Sequence, residues 1–317
     1  MKLLLSRIKP YLRWFVLGAT IFFLVATLRD RAAEATEVRI AASGWIDLAI
    51  AFFVTLLAHI WSSWVWVQIF KTLGRSIPVQ WGMRVYLKTN IAKYLPGNVW
   101  HFTGRIVALK KTDMPVGMAV FGTLLEPLLM AAAALIVAVA GSPFVDDIPI
   151  VIYIILPGVL LGLHPRCLDP IVRRLAKGKL RKIETEDNNI SPASLYRYPL
   201  VPLLGELGFL LCRGAGFIFA LLAVSAVGWD RVPLLLSAFS VAWLLGLAVP
   251  GAPGGIGVFE ATAVALLLDR VPSGAILAAI VLYRLISILA EAVAAGLAVL
   301  WETQVSNNVP GNKPRQK

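Results

Sequence analysis

Six apolar stretches of this chain, at residues 14–28, 45–70, 117–141, 148–163, 200–227 and 274–301, read as helices crossing the hydrocarbon of a bilayer. No other feature restricts the fold as strongly. Water is absent at that depth, so backbone N–H and C=O groups must pair within a helix or around a closed barrel. The alternation of ten-residue strands that marks a barrel is absent. Proline and glycine inside the stretches do not oppose helix, because membrane helices tolerate both. A mean hydropathy of +0.77 also exceeds that of a water-soluble domain of this length. The expected fold class is an all-α polytopic membrane protein, with 1–317 a single transmembrane domain.

A Pro-Gly break occurs twice. Pro96-Gly97-Asn98-Val99-Trp100-His101-Phe102 and Pro253-Gly254-Gly255-Ile256-Gly257-Val258-Phe259 share the pattern P-G-x-[V/I]-x-x-F, 157 residues apart. The same offset carries 45–70 onto 202–227 and 118–141 onto 275–298, so two half-chains share the order span, broken segment, span. A first repeat over 45–141 and a second over 200–301 follow, with 164–199 a basic loop between them and 302–317 a tail. Lys2, Arg7, Lys9 and Arg13 precede the first span. Arg166, Arg173, Arg174, Lys177, Lys179, Arg181, Lys182 and Arg197 fill the 164–199 segment, and Lys313, Arg315 and Lys317 end the chain. The turns at Asp146/Asp147, Asp230/Arg231 and Asp269/Arg270 carry little excess positive charge. By the positive-inside rule, both termini and the 164–199 loop are expected in the cytoplasm. The repeats then run in opposite directions, as an inverted-topology repeat requires. The net charge of +12 is thus read as topology plus attraction to anionic headgroups, not as a nucleic-acid footprint. The 171–183 segment, with apolar Ile171, Val172, Leu175, Leu180 and Ile183 between basic residues, reads as a surface helix.

The segments 232–249 and 258–268 look too short to span comfortably and are expected to form a re-entrant hairpin turning at the second break. Residues 78–94 and 102–109 are its counterpart. An alternative for the latter is a surface amphipathic helix with Val79, Trp81, Val85 and Tyr86 toward lipid. Paired broken segments in two halves point to a transporter's binding site.

Half-helices that begin after each break aim unpaired N–H groups inward, a setting suited to an anion. The candidate contacts there are Pro96, Gly97, Asn98, Trp100, Pro253, Gly254, Gly255 and Gly257, with Lys93 and Arg105 as phosphate-binding cations beside the first break. Against this stands the reading of Lys93 and Arg105 as ordinary interfacial charges. Trp100 is a candidate to stack on a headgroup, although most tryptophans are expected as interfacial anchors. Within spans, Glu206 and Arg213 lie seven residues apart, as do Arg284 and Glu291, which puts each pair on one helical face. Arg213 and Glu291 are expected at similar depth and able to pair. Glu126, before Pro127, adds a further carboxylate. Such ions face a bundle interior or a pathway; the plainer alternative is a structural ion pair. Glu260, opening a half-helix, is expected as a dipole partner or cap.

His59, His101 and His164 lack metal-ligand spacing, and Cys167 and Cys212 are not expected to form a disulfide. Ala33-Glu34-Ala35 is a passable signal-cleavage site, but an uncleaved anchor fits the apolar remainder better.

The run P-G-G-I-G-V-F-E through Glu260, together with K-Y-L-P-G-N-V-W-H-F-T-G-R from Lys93 to Arg105, resembles the lysylphosphatidylglycerol synthase transmembrane-region family. That resemblance, which extends from about Trp14 to Trp301, implies a flippase-like integral membrane protein that moves lipids or lipid-linked groups between leaflets. Two-domain members carry a soluble aminoacyl-transferase domain after the membrane region. Residues up to Lys317 hold none, so lysyl transfer is not expected. The leading expectation is a translocase, not an enzyme, for an anionic lipid or a polyprenyl-phosphate-linked intermediate. It is expected in the cell (inner) membrane, multi-pass, without cofactor or metal, and with anionic lipid headgroups rather than nucleic acid as partners. A lipid-modifying or glycosyltransferase partner is compatible with these features. Rival readings are a membrane-embedded glycosyltransferase or its accessory subunit, and a scaffold docking partners through 164–199.

Overall fold

The computed structural model describes residues 40–94, 99–144, 150–170, 195, 197–249, 255 and 257–307. The first expected span, the 171–183 surface helix, the far tail and the candidate residues Pro96, Gly97, Asn98, Pro253 and Gly254 lie outside the described residues. Within them the chain is helical. Helix α1 is Ala42–Thr72, α2 is Val79–Asn90, and a 3-10 turn, Ile91–Tyr94, ends α2. Next come α3 Trp100–Lys110, α4 Val116–Gly141 and α5 Val151–Gly162. Then follow α6 Leu200–Leu222, α7 Val232–Ala248, α8 Val258–Leu267 and α9 Ser273–Asn307. Among the described residues five helical stretches are long and apolar enough to cross a membrane. Four of them occupy expected spans.

Two segments differ from expectation in length. A turn at Trp229–Arg231 extends α7 to a 20-residue stretch, about 30 Å at ~1.5 Å per residue, which is enough to cross. At the expected fourth span, α5 has only 12 residues and contains Pro157.

The two half-chains pack as equivalents. α1 lies against α2 as α6 lies against α7, and α3 against α4 as α8 against α9. α4 packs on α6 and α7, while its counterpart α9 packs on α1 and α2. The central contact joins the equivalent spans α1 and α6, and it is antiparallel. Gly44 at the start of α1 abuts Ala223 just past the end of α6, Thr55 abuts Gly216, and Val65 abuts Gly205. The Trp61 indole N–H donates to the Gly205 carbonyl at 2.8 Å. Antiparallel equivalents are what an inverted repeat predicts.

Small residues permit this approach. Lipid tails are as apolar as leucine, so membrane helices associate through close packing rather than by escaping water. A Cβ at Gly205 would sit 2.6 Å from the Val65 Cγ2 methyl, which a β-branched rotamer cannot easily withdraw. Gly205→Val is expected to cost about 1–3 kcal/mol by overpacking, read as a lower midpoint of thermal unfolding in detergent. An unchanged midpoint would mean that the α1–α6 contact is looser than described.

Large apolar side chains such as Trp45, Phe53, Ile154 and Leu300 remain exposed, a belt suited to hydrocarbon. Helix α2 does not lie with its apolar face on lipid. Val85 and Tyr86 are buried against α1 and α9, and only Val79 of the expected lipid-facing set is exposed. The physical reason is polar: the Tyr86 hydroxyl has partners only inside the bundle, Ser62 and Glu126. Outside that core, Lys88 pairs with Glu302 at 2.5 Å and Arg84 lies over Trp301, tying α2 to α9.

Candidate functional site

Both broken segments end on one interior cavity of about 220 Å³. Four pairs of its lining residues stand at the 157-residue repeat offset: Tyr86/Trp243, Asn90/Leu247, Phe102/Phe259 and Glu126/Tyr283. The cavity therefore sits on the relation between the repeats. Its two halves differ chemically, since the first repeat supplies Tyr86, Asn90 and Glu126 where the second supplies Trp243, Leu247 and Tyr283.

Three charged clusters surround it. In the first, Arg105 of α3 holds Glu126 of α4. The Tyr86 hydroxyl donates to Glu126 Oε1 at 2.5 Å and accepts from Ser62 at 2.7 Å. The guanidinium also reaches Asn90 Oδ1 at 3.3 Å and stacks 3.7 Å from the Tyr86 ring centre.

The second cluster lies at the end of α8. Gly257 has φ +84°, a left-handed conformation that glycine adopts without strain, and its N–H donates to the Glu260 carboxylate. The other Glu260 oxygen accepts from Arg284 Nε at 2.6 Å, and Arg284 also donates to the Gly255 carbonyl at 3.2 Å. Gly255, at φ +71°, approaches Gly246 so closely that a Cβ there would meet its Cα at 3.0 Å. Gly255 is thus held against α7 by glycine contact and against α9 by Arg284.

The third cluster contains Lys93, Glu291, His59 and Arg213. Lys93 Nζ is 2.6 Å from Glu291 Oε1, and His59 Nε2 is 3.2 Å from the same oxygen. Arg213 meets His59 Nε2 at 3.3 Å and Ser287 Oγ at 3.0 Å, with its guanidinium 4.9 Å from the Tyr283 ring centre. His59 Nε2 cannot donate to Glu291 and accept from Arg213 at once. The carboxylate is the stronger acceptor, so the N–H points to Glu291. Arg213 is left with Ser287 and an aromatic face, its Nε has no hydrogen-bond partner, and no carboxylate lies within ion-pair distance among the described residues. It is a buried cation on the cavity wall without a carboxylate in direct contact among the described residues.

Its complement lies two turns away on the same helix. Glu206 is fully buried, and neither carboxylate oxygen has a partner among the described residues.

A match to the model of the lysylphosphatidylglycerol synthase TM region spans residues 12–295. The chain belongs to that family. No curated protein matches this family member in sequence.

The candidate residues of this lysylphosphatidylglycerol synthase TM region protein separate into groups. Lys93, Arg105, Glu126, Arg213, Gly255 and Arg284 line the cavity. Glu291, Glu260 and Gly257 stand behind them as their partners. Glu206 is buried beside the lining, and Trp100 is half-exposed outside it. Two expected relations differ. Arg213 and Glu291 do not bond directly, because His59 is interposed between them. Lys93 and Arg105 do not form a free pair of cations, because each already holds a carboxylate from another helix. The cap role expected of Glu260 is present.

His59, Tyr86, Phe209, Trp243, Tyr283 and Ser287 were not among the sequence candidates. The repeat offset was a usable signal for one of them: adding it to the candidate Glu126 reaches Tyr283. Nothing comparable marks His59 or Ser287, which matter only through what faces them.

Proposed function

We propose that this integral membrane protein translocates an anionic lipid, or a polyprenyl-phosphate-linked intermediate, between leaflets. The headgroup passes through the interior cavity while the tails remain in the bilayer. The observation that carries this reading is Arg213, a buried cation on the cavity wall without a carboxylate within ion-pair distance among the described residues. An unpaired ion in such a setting is costly, so a phosphate oxygen there gains a charge-assisted, forked contact at little further desolvation cost. Family membership supports the same reading. The aromatic second-repeat wall, Trp243, Phe259 and Tyr283, suits the glycerol or polyprenyl end of the headgroup. The protein acts as a translocator rather than an enzyme, in the cell (inner) membrane, with lipid and not nucleic acid as its partner. A lipid-modifying enzyme supplying or consuming the substrate fits this placement.

The test is leaflet-specific labelling in reconstituted vesicles. Fluorescent phosphatidylglycerol in a phosphatidylcholine vesicle is expected to become accessible to an impermeant quencher faster with the protein than without it. Equal rates for anionic probes in both vesicle types would defeat the proposal. Formation of a modified lipid would favour the glycosyltransferase reading.

A further inference from the structure

The interior charges balance only as a set. Lys93, Arg105, Arg213 and Arg284 face Glu126, Glu206, Glu260 and Glu291, four cations against four carboxylates. Three pairs are in direct contact, Lys93–Glu291, Arg105–Glu126 and Arg284–Glu260. The remainder is Arg213 without a carboxylate and Glu206 without a donor. Both are on α6, seven residues and so about 10 Å apart along one face. Glu206 lies among groups already committed elsewhere. The charges acting on it are Glu126 of α4 and Arg105 of α3, with Tyr86 of α2 behind Glu126. Two turns further along α6, His59 of α1, Lys93 at the end of α2, and Tyr283, Arg284 and Glu291 of α9 gather around Arg213. Helix α7 brings no titratable side chain.

We propose that Glu206 is a proton-binding site coupled to the anion site at Arg213, so that one proton crosses with each anionic headgroup. The inference rests on the translocation reading above. With the cavity empty, the interior is neutral only when Glu206 is ionised and so offsets Arg213. An anion bound at Arg213 leaves one uncompensated negative charge, and Glu206 removes it by taking a proton. Glu206 takes it rather than Glu126, because Glu126 already accepts from Arg105 and Tyr86. The empty and doubly loaded interiors are neutral; either singly loaded interior carries a charge out of water, which is costly. That difference makes binding of the two ligands mutually favourable. The co-substrate is the proton itself, released unchanged on the other side.

Two measurements test this. In nanodiscs, adding phosphatidylglycerol to the wild-type protein in phosphatidylcholine is expected to raise the infrared carbonyl band of a protonated carboxyl. The band should be missing in Glu206→Gln and kept in Glu302→Gln, whose carboxylate is exposed and lies outside the interior set. In proteoliposomes, neutral co-transport should distribute fluorescent phosphatidylglycerol about tenfold unequally per pH unit across the membrane. A membrane potential alone should leave the distribution unchanged, whereas an anion moving by itself would follow the potential. A distribution that follows potential and ignores pH overturns the coupling but leaves translocation standing. A wild-type protein that moves no anionic probe overturns translocation instead, and the infrared band then decides the proton site alone. A band unaffected by Glu206→Gln refutes that site.

Discussion

Arg213→Ala is expected to remove translocation of an anionic lipid while leaving the protein folded. A hydrogen bond to a charged group contributes about 1.5–3 kcal/mol, so apparent affinity for the probe should fall about 10- to 100-fold. Stability should move by less than about 1 kcal/mol, because Glu291 keeps its direct partners and Glu206, no longer offset, can take a proton instead of remaining a buried charge. Glu291 keeps Lys93 at 2.6 Å and His59 at 3.2 Å. The substitution also withdraws a buried ion whose own desolvation opposed folding. Arg213→Lys should restore part of the rate, since it returns the charge but not the planar fork. The readouts are initial translocation rates against probe density in vesicles and thermal unfolding in detergent. A variant that transports within twofold of wild type would remove Arg213 from the anion site and move attention to the N-terminal end of α8.

Arg105→Ala should behave in the opposite manner. Arg105 and Glu126 are almost entirely inaccessible, and the guanidinium also fills the space over Tyr86. Its loss leaves Glu126 with Tyr86 alone, beside the second buried carboxylate of Glu206. Breaking a buried pair from one side costs about 3–5 kcal/mol, a large share of a marginal stability. Combining Arg105→Ala with Glu126→Gln should recover much of that loss, since the stranded charge goes and only the void remains. Denaturant unfolding of the single and double variants in detergent provides the comparison. If the single variant lost less than about 1 kcal/mol, the Arg105–Glu126 pair would be neither buried nor structural in the way described. Two arginines that look alike in sequence are thus assigned different work: one anchors the bundle, the other waits for a ligand.

The fold class was legible because hydrocarbon leaves a chain few options. A span must be apolar along its whole length, so α1, α4, α6 and α9 announced themselves without regard to what packed where. The internal repeat was legible for a similar reason, since paired breaks and spans at one offset survive in one dimension. The contact of α1 with α6, antiparallel along its length, then followed that offset. Length limits were less legible. Trp229–Arg231 looked like a polar turn, and only its helical continuation into α7 made that segment long enough to cross.

The sequence by itself determined that these charges exist inside the membrane and that each must be answered, because an ion there is too costly to leave alone. It could not determine which group answers which. Residues seven apart on one helix share a face, yet Glu206 and Arg213 point into different clusters, because the partners arrive from α1, α3, α4 and α9. Spacing along a helix reports a side chain's own direction and carries no information about what another helix brings opposite it. His59 is the clearest case, since it is an isolated histidine in one dimension. Tertiary packing sets its ring against Glu291 and so leaves Arg213 the cation in the cavity without a carboxylate partner among the described residues.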